Sequence, residues 1–83
     1  PISLFVADDH KIIRDGLRVL IERDGRFVIA GEASSGRALV EGVNRTRPDV
    51  VITDLSMQDV NGIEAVRQLR AGGYRGAVVM LSM

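Results

Sequence analysis

The segment PDVVITDLSMQDVN, residues 48–61, carries the main signal for the fold class. It contains an apolar run, Val50 to Ile52, which is followed by Thr53 and Asp54 and then by a polar loop. A short apolar run rich in β-branched residues and preceded by Pro-Asp predicts a strand buried on both faces. Such strands belong to parallel sheets covered by helices, where ligands bind beyond the carboxyl ends of the strands. Asp54 stands at such an end, and a buried acid there needs partners.

Three further apolar runs alternate with segments in which apolar residues recur at helical spacing. The further strands are predicted at 2–7, 27–30 and 76–81. The helices are predicted at 10–24, from Ser34 or Ser35 to Arg47, and from Asn61 to Gly72 or Gly73. Gly31, next to the second strand, predicts a close backbone approach or a bend. Regular alternation with short connections predicts a parallel sheet built from right-handed crossovers.

Local signals predict the helix ends and the inward faces. Asp8 or Asp9 is expected to cap the first helix, because a carboxylate accepts hydrogen bonds from its free N–H groups. Gly25 is expected to end that helix. Asn61 followed by Glu64 has the spacing of a capping box. The expected inward faces are Ile13, Leu17, Leu20 and Ile21 in the first helix, Ala38, Leu39 and Val43 in the second, and Ile63, Val66 and Leu69 in the third.

The composition indicates at most one small globular domain. In 83 residues, 46% are hydrophobic and 27% are charged, which suits an apolar core with a soluble surface. Eleven basic residues balance eleven acidic ones, so no excess of positive charge predicts nucleic-acid binding. Cysteine is absent, which excludes disulfides, zinc-thiolate sites and thiol catalysis in these residues. No run reaches membrane-spanning length and no signal peptide is recognised, so a cytoplasmic location is expected.

Acidic residues follow two of the predicted strands. Asp8 and Asp9 come directly after the first strand, and Asp54 ends the third. If these strands are neighbours, three carboxylates meet at one edge of the sheet and repel one another. A hard divalent cation relieves that repulsion, and Mg²⁺ suits a site with one or two carboxylates because its other ligands are waters and phosphate oxygens. The same arrangement could support phosphoryl transfer in which one carboxylate is the nucleophile.

Four segments of the sequence resemble those of a known protein family. The Asp8-Asp9 pair, DVVITDLSM around Asp54, the helix NGIEAVRQLR and a strand ending at Ser82 resemble a bacterial two-component response-regulator receiver domain. The segments ADDHKIIRDGL and NGIEAVRQLR are most similar to the NarL/FixJ subgroup of transcriptional regulators. The resemblance runs over nearly the whole chain. It implies an α/β fold of the flavodoxin-like (CheY-like) kind, a doubly wound parallel sheet with strand order 2-1-3-4 in these residues.

The resemblance also implies roles for individual residues. Asp54 would accept a phosphoryl group from a sensor histidine kinase. Mg²⁺ would be bound by the side chains of Asp9 and Asp54 and by the backbone carbonyl of Ser56, with Asp8 acting mostly through water. Ser82 matches the switch hydroxyl that bonds the phosphoryl oxygen. Such a domain is a phosphoacceptor switch rather than an enzyme in the usual sense, and it would control a DNA-binding output domain in transcription regulation.

The sequence departs from the family pattern in two respects. Gln58 stands where the family usually has proline in the loop after the acceptor. Residues 1–83 also lack the C-terminal helix-strand-helix segment with its essential lysine, and Lys11 in the first helix cannot replace that lysine. Phosphorylation of these residues is therefore expected to be poor. The fourth strand would be an unprotected edge, so a homodimer or a domain-swapped oligomer is expected. The output domain that the resemblance implies would lie outside these residues.

Two other functions fit parts of the pattern. A degenerate receiver that is used for protein contacts without phosphorylation would tolerate Gln58, although the three acids disfavour it. A phosphohydrolase with an Asp nucleophile would need a second acid two residues after Asp54, where the chain has Ser56. His10 could be a ligand or a phosphate carrier, but it is expected to be a first-turn residue near the site without a chemical role.

Overall fold

The computed structural model describes residues 1–82, in which four strands alternate with three helices. The strands are β1 (Ile2–Ala7), β2 (Phe27–Ala33), β3 (Val50–Asp54) and β4 (Ala77–Leu81). The helices are α1 (Lys11–Glu22), α2 (Gly36–Thr46) and α3 (Gly62–Ala71). All strand pairs are parallel and the order is β2-β1-β3-β4, which confirms the predicted topology. In the described part of the chain, no helix is both long and apolar enough to cross a membrane.

The two faces of the sheet are covered unequally. Helices α2 and α3 pack on one face over a core that centres on Phe5, Leu39, Val51 and Leu69, all buried. On the other face α1 is the one helix of the described residues, and none of its side chains is buried. In β3, Val50 and Ile52 are consequently only half-buried. The prediction that this strand is buried on both faces is wrong on the α1 face, because one helix cannot cover four strands.

Strand β2 is longer than the sequence predicts. It continues to Ala33 rather than ending at Ala30, because Val6 and Ala7 of β1 still pair with it beyond Gly31. The register shifts between Leu4 and Phe5, opposite this glycine. A Cβ at Gly31 would lie 2.7 Å from Cε2 of Phe5, so the predicted close approach is present.

Helix α1 differs most from its prediction. Its N-cap is His10, whose side chain makes no capping bond, and the helix ends at Glu22 with Arg23 as C-cap rather than at Gly25. Asp8 does not cap the first turn but accepts a hydrogen bond from the His10 backbone N–H at 2.7 Å. Leu20 is 65% exposed although it borders the groove on this face of the sheet, because no second helix of the described residues covers the groove.

The other helices follow their predictions more closely. Ser35 caps α2 through the Ala38 N–H at 3.1 Å, and Asn61 caps α3 through the Glu64 N–H at 2.9 Å. The capping box is only half formed, because the Glu64 carboxylate pairs with Arg67. Two predicted inward residues, Ala38 and Ile63, are exposed, while Ala65 is buried in α3. Each helix is thus rotated slightly from the face that apolar spacing alone predicts.

Glycine in the middle of α2 has a packing role. The Phe5 ring, 1% exposed, lies against the α2 backbone at Gly42, where a Cβ would come within 2.4 Å of Cζ. Gly42 is itself buried in the helix. A glycine weakens a helix interior by about 1 kcal/mol relative to alanine. Here it allows Phe5, the largest of the fully buried side chains, to pack between β1 and α2.

We expect Gly42→Ala to lower the free energy of unfolding by about 1–3 kcal/mol, because overpacking against the Phe5 ring outweighs the gain in helix propensity. Gly16→Ala in α1 is the matched control. Nothing lies within 4 Å of a Cβ at Gly16, so that variant should be stabilised by about 0.5–1 kcal/mol. Urea denaturation measures both values. Equal effects of the two substitutions would contradict the packing role of Gly42.

Apolar surface is exposed at β4 and on the α1 face. Strand β4 is a sheet edge with Val79 and Met80 exposed. A groove of about 360 Å³ on the α1 face is lined by apolar side chains that include Leu20, Phe27 and Ile52. An unprotected edge strand beside apolar surface favours pairing with another chain.

We therefore expect the 83-residue chain to self-associate at micromolar concentration, with an average mass in sedimentation velocity that rises with concentration. Val79→Lys places a charge on the edge strand and should shift the distribution toward monomer. A monodisperse monomer for the unsubstituted chain would show that the exposed edge does not drive association.

Candidate metal and phosphoacceptor site

The site lies where β1 and β3 end side by side. These strands are neighbours and Ala7 pairs with Thr53, so Asp8 and Asp54 follow at the same edge of the sheet. Asp8 is 4% exposed and Asp54 5% exposed. One ligand atom from each of Asp8, Asp9, His10 and Asp54 lies within 4.8 Å of the others. The structure thus brings together the three acids that the sequence predicts at one place.

Local backbone groups orient the two most buried acids. Asp8 Oδ1 accepts the His10 N–H at 2.7 Å and faces His10 Nδ1 at 3.0 Å. Asp54 Oδ1 accepts the N–H of Ser56 at 3.2 Å. The hydroxyl of Thr53, which is fully buried, donates to the Asp54 carbonyl at 3.0 Å. Both carboxylates are therefore held before any ligand binds.

Asp9 has an oxygen that the protein does not satisfy. Its Oδ1 is fully buried and accepts no hydrogen bond from the described residues. His10 Nδ1 is 2.9 Å away but is not aligned for a hydrogen bond with this oxygen. A buried carboxylate oxygen without a donor is costly, and a cation bound through oxygen would satisfy it. The cluster offers several carboxylate oxygens, one of which, Asp9 Oδ1, accepts no hydrogen bond. These are the ligands that Mg²⁺ prefers.

His10 lies beside the acids, as expected from its position in the sequence. Its ring contacts Asp8 and Asp9, although two thirds of the side chain is exposed. The pKa of His10 is raised, first by the hydrogen bond to the Asp8 side chain and then by the charge of Asp9. When it is protonated, the imidazole offsets part of the negative charge of the acids. Its position directly after the Asp pair was the available signal, but a sequence does not show where a first-turn side chain points.

Two serines border the same space. A cavity of about 250 Å³ is lined by His10, Asp54, Leu55, Ser56 and Ser82. Ser56 follows β3 on the loop, and Ser82 comes directly after β4, which pairs with β3 through Asp54 and Leu81. The structure therefore places both predicted serines beside Asp54. The cavity lies at the carboxyl ends of β3 and β4, beside Asp54.

The segment after Asp54, residues 55–60, is called the acceptor loop here. Its first residue, Leu55, donates its N–H to the Leu81 carbonyl at 2.9 Å and accepts the Gly62 N–H at 2.7 Å. Met57 points into the core, as its apolar side chain predicts. Gly62 lies so close to β3 that a Cβ there would be 2.5 Å from the Asp54 carbonyl oxygen. These contacts fix the start and the end of the loop.

The sequence matches the family described as the response regulator receiver domain over residues 4–83. The chain belongs to this family. The receiver domain is 32% identical over all its residues to the nitrate/nitrite response regulator NarL of Escherichia coli strain K12, of which it spans 38%. It is 36% identical over 82% of its length to the transcriptional regulatory protein YdfI of Bacillus subtilis strain 168, of which it spans 32%. The chain thus spans about a third of these curated relatives.

The receiver fold is shared with solved structures. The response regulator domain of Thermotoga maritima CheB superposes with a TM-score of 0.93 at 31% sequence identity, over 98% of this receiver domain and 60% of that chain. The strand order, the parallel pairing and the family match agree. The identification as a receiver domain of a two-component response regulator of the NarL type, which the sequence motifs predict, is confirmed.

Proposed function

We propose that this receiver domain accepts a phosphoryl group on Asp54 from a sensor histidine kinase, in the presence of Mg²⁺. The observation that carries the proposal is the convergence of Asp8, Asp9 and Asp54 within 4.8 Å beside an open cavity. Buried like charges are kept together in a folded protein when a bound cation offsets them. A single nucleophilic carboxylate that borders such a site is suited to forming an acyl phosphate.

The side chains of Asp9 and Asp54 and the carbonyl of Ser56 would hold the Mg²⁺ ion, with Asp8 acting mostly through water. The orphaned Oδ1 of Asp9 supports this assignment. When bound, Mg²⁺ neutralises charge on the phosphoryl oxygens during transfer. Asp8, which already accepts two bonds from His10, is better placed to orient a water molecule than to bind a metal directly.

Asp54 acts as the nucleophile in this proposal. Its Oδ1 is engaged by the Ser56 N–H, and Oδ2 accepts no hydrogen bond from residues 1–82. One carboxylate oxygen attacks phosphorus in line, and the bond from phosphorus to the histidine nitrogen of the donor breaks. The electron pair goes to that nitrogen, and the departing imidazole then takes a proton. Ser82 would donate its hydroxyl to a phosphoryl oxygen, as the switch residue.

The output belongs to the same proposal. The relatives are named as nitrate/nitrite response and transcriptional regulators, and the receiver domain spans about a third of them. We propose that the protein also has a DNA-binding output domain outside these residues. Phosphorylation of Asp54 would control that domain in the cytoplasm. Ser56 stands two residues after the nucleophile, where an Asp-dependent hydrolase needs its acid–base group, so the domain is a switch rather than a turnover catalyst.

Mg²⁺ titration followed by NMR tests the metal site. We expect saturable shifts centred on Asp8, Asp9, Asp54 and Ser56, and their loss in Asp54→Ala, because that substitution removes a ligand and part of the charge. Asp24→Ala is the matched control, since Asp24 is paired with Arg26 away from this cluster. Shifts of the same size and affinity in Asp54→Ala and the wild type would refute the site.

Phosphorylation is tested by mass spectrometry after incubation with acetyl phosphate and Mg²⁺. We expect one phosphoryl group on Asp54 and none in Asp54→Asn. The yield should be low in the 83-residue chain, because its single lysine, Lys11, pairs with Asp15 on α1 and is not available to hold the phosphoryl group. Modification that persists in Asp54→Asn would disprove Asp54 as acceptor, and stable stoichiometric modification would disprove the need for a lysine.

A further inference from the structure

We infer that Asp59 is a positioning residue that clamps the acceptor loop to the start of α2 and thereby sets the geometry of Ser56 beside Asp54. The inference rests on the proposed function, because Ser56 is taken as a metal ligand. Neither the family match nor the site acids assign a role to Asp59. The residue lies in the acceptor loop, three positions after Ser56.

The clamp consists of two hydrogen bonds across 22 and 23 residues of sequence. One carboxylate oxygen of Asp59 accepts the Gly36 N–H at 2.8 Å and the other accepts the Arg37 N–H at 3.1 Å. The first N–H groups of a helix have no partner within the helix, and a negative charge at that end is favourable. Ser35 already caps the Ala38 N–H, so the loop completes the cap that the preceding residue begins.

The Asp59 side chain is negatively charged at neutral pH. Hydrogen bonds from the backbone N–H groups of Val60, Gly36 and Arg37 lower the pKa of Asp59 to about 2. The carboxylate is therefore ionised at neutral pH, and both of its oxygens can accept hydrogen bonds. Protonation would weaken the clamp only as the pH falls toward this low value.

Close packing accompanies the two bonds. A Cβ at Gly36 would lie 2.2 Å from the Val60 carbonyl oxygen and 2.7 Å from Val60 Cβ. The first residue of α2 therefore lies directly against the acceptor loop. Val60 packs against the core. The end of the loop is therefore held by the core at Val60 and by the start of α2 at Asp59.

The contact explains how the loop tolerates Gln58. Proline at that position would restrict the loop backbone, whereas glutamine, which is exposed here, does not. The bonds of Asp59 supply a restraint one residue later. Leu55 precedes Ser56 and is bonded to Leu81 and Gly62, while Met57 and Asp59 follow it and are held by the core and by α2. Ser56 therefore lies in a short segment that is fixed on both sides. The N–H of Ser56 can then stay on Asp54 while its carbonyl keeps one direction.

The test compares Mg²⁺ affinity in Asp59→Ala, Asp59→Asn and Asp49→Ala at temperatures where all are folded. Asp49 is a matched control, because its carboxylate bonds the Ser3 N–H at 2.8 Å and joins two segments at the opposite end of the sheet. We expect Asp59→Ala to weaken Mg²⁺ binding about tenfold, as loss of a group that orients a metal ligand does. Asp59→Asn keeps one acceptor oxygen, so its Mg²⁺ affinity should lie between those of Asp59→Ala and the wild type. Asp49→Ala should bind Mg²⁺ with the affinity of the wild type.

Backbone ¹⁵N relaxation without metal gives a second, independent measurement. Residues 55–60 should become mobile in Asp59→Ala and stay ordered in Asp49→Ala. Unchanged affinity and unchanged relaxation in Asp59→Ala would overturn the inference, as would an equal loss of affinity in Asp49→Ala. If the wild type binds no Mg²⁺, the proposed function fails, and the relaxation of residues 55–60 still decides whether Asp59 holds the loop.

Discussion

Three carboxylates held at the ends of two neighbouring strands repel one another, and the rest of the structure has to keep them together. Two unit charges about 4 Å apart repel by about 4 kcal/mol at an effective dielectric constant of about 20. That is comparable with the whole stability of a small domain, about 5–15 kcal/mol. The parallel pairing of β1 with β3 fixes the backbone beside Asp8 and Asp54, and the His10 ring offsets part of their charge when it is protonated. The sheet therefore holds the acids together, and local hydrogen bonds orient their carboxylates.

The core on one face of the sheet holds the two strands that carry the acids in fixed positions. Phe5 and Val51 lie on the two strands that carry the acids, and both are buried under α2 and α3. Gly42 and Gly62 remove the side chains that would hold α2 away from Phe5 and α3 away from the Asp54 carbonyl. Tight backbone contact on this face thus sets the position of Asp54 and of the loop that follows it.

Local signals in the sequence predicted the alternation of strands and helices and the acids that follow β1 and β3. The strand order, and with it the convergence of the acids, came from the resemblance to receiver domains, because alternation alone leaves more than one parallel arrangement. The direction of individual side chains was not predictable in the same way. Leu20 has the spacing of an inward residue, yet it is exposed because nothing in the described residues covers that part of the sheet. The bonds of Asp59 join residues that are more than 20 positions apart, and no local pattern encodes such a pair.

The acids of the site depend on different parts of the fold. Asp54 belongs to β3 and to the well-packed face, whereas Asp9 precedes α1, which has no buried residue. A ligand that binds Asp9 and Asp54 together stabilises only the state in which α1 is docked, since undocking would move Asp9 away. If the proposed cation binds both acids, its binding and the docking of α1 are thermodynamically linked. The Asp9 oxygen that accepts no hydrogen bond would be the place where this linkage acts, because a cation bound there would satisfy it.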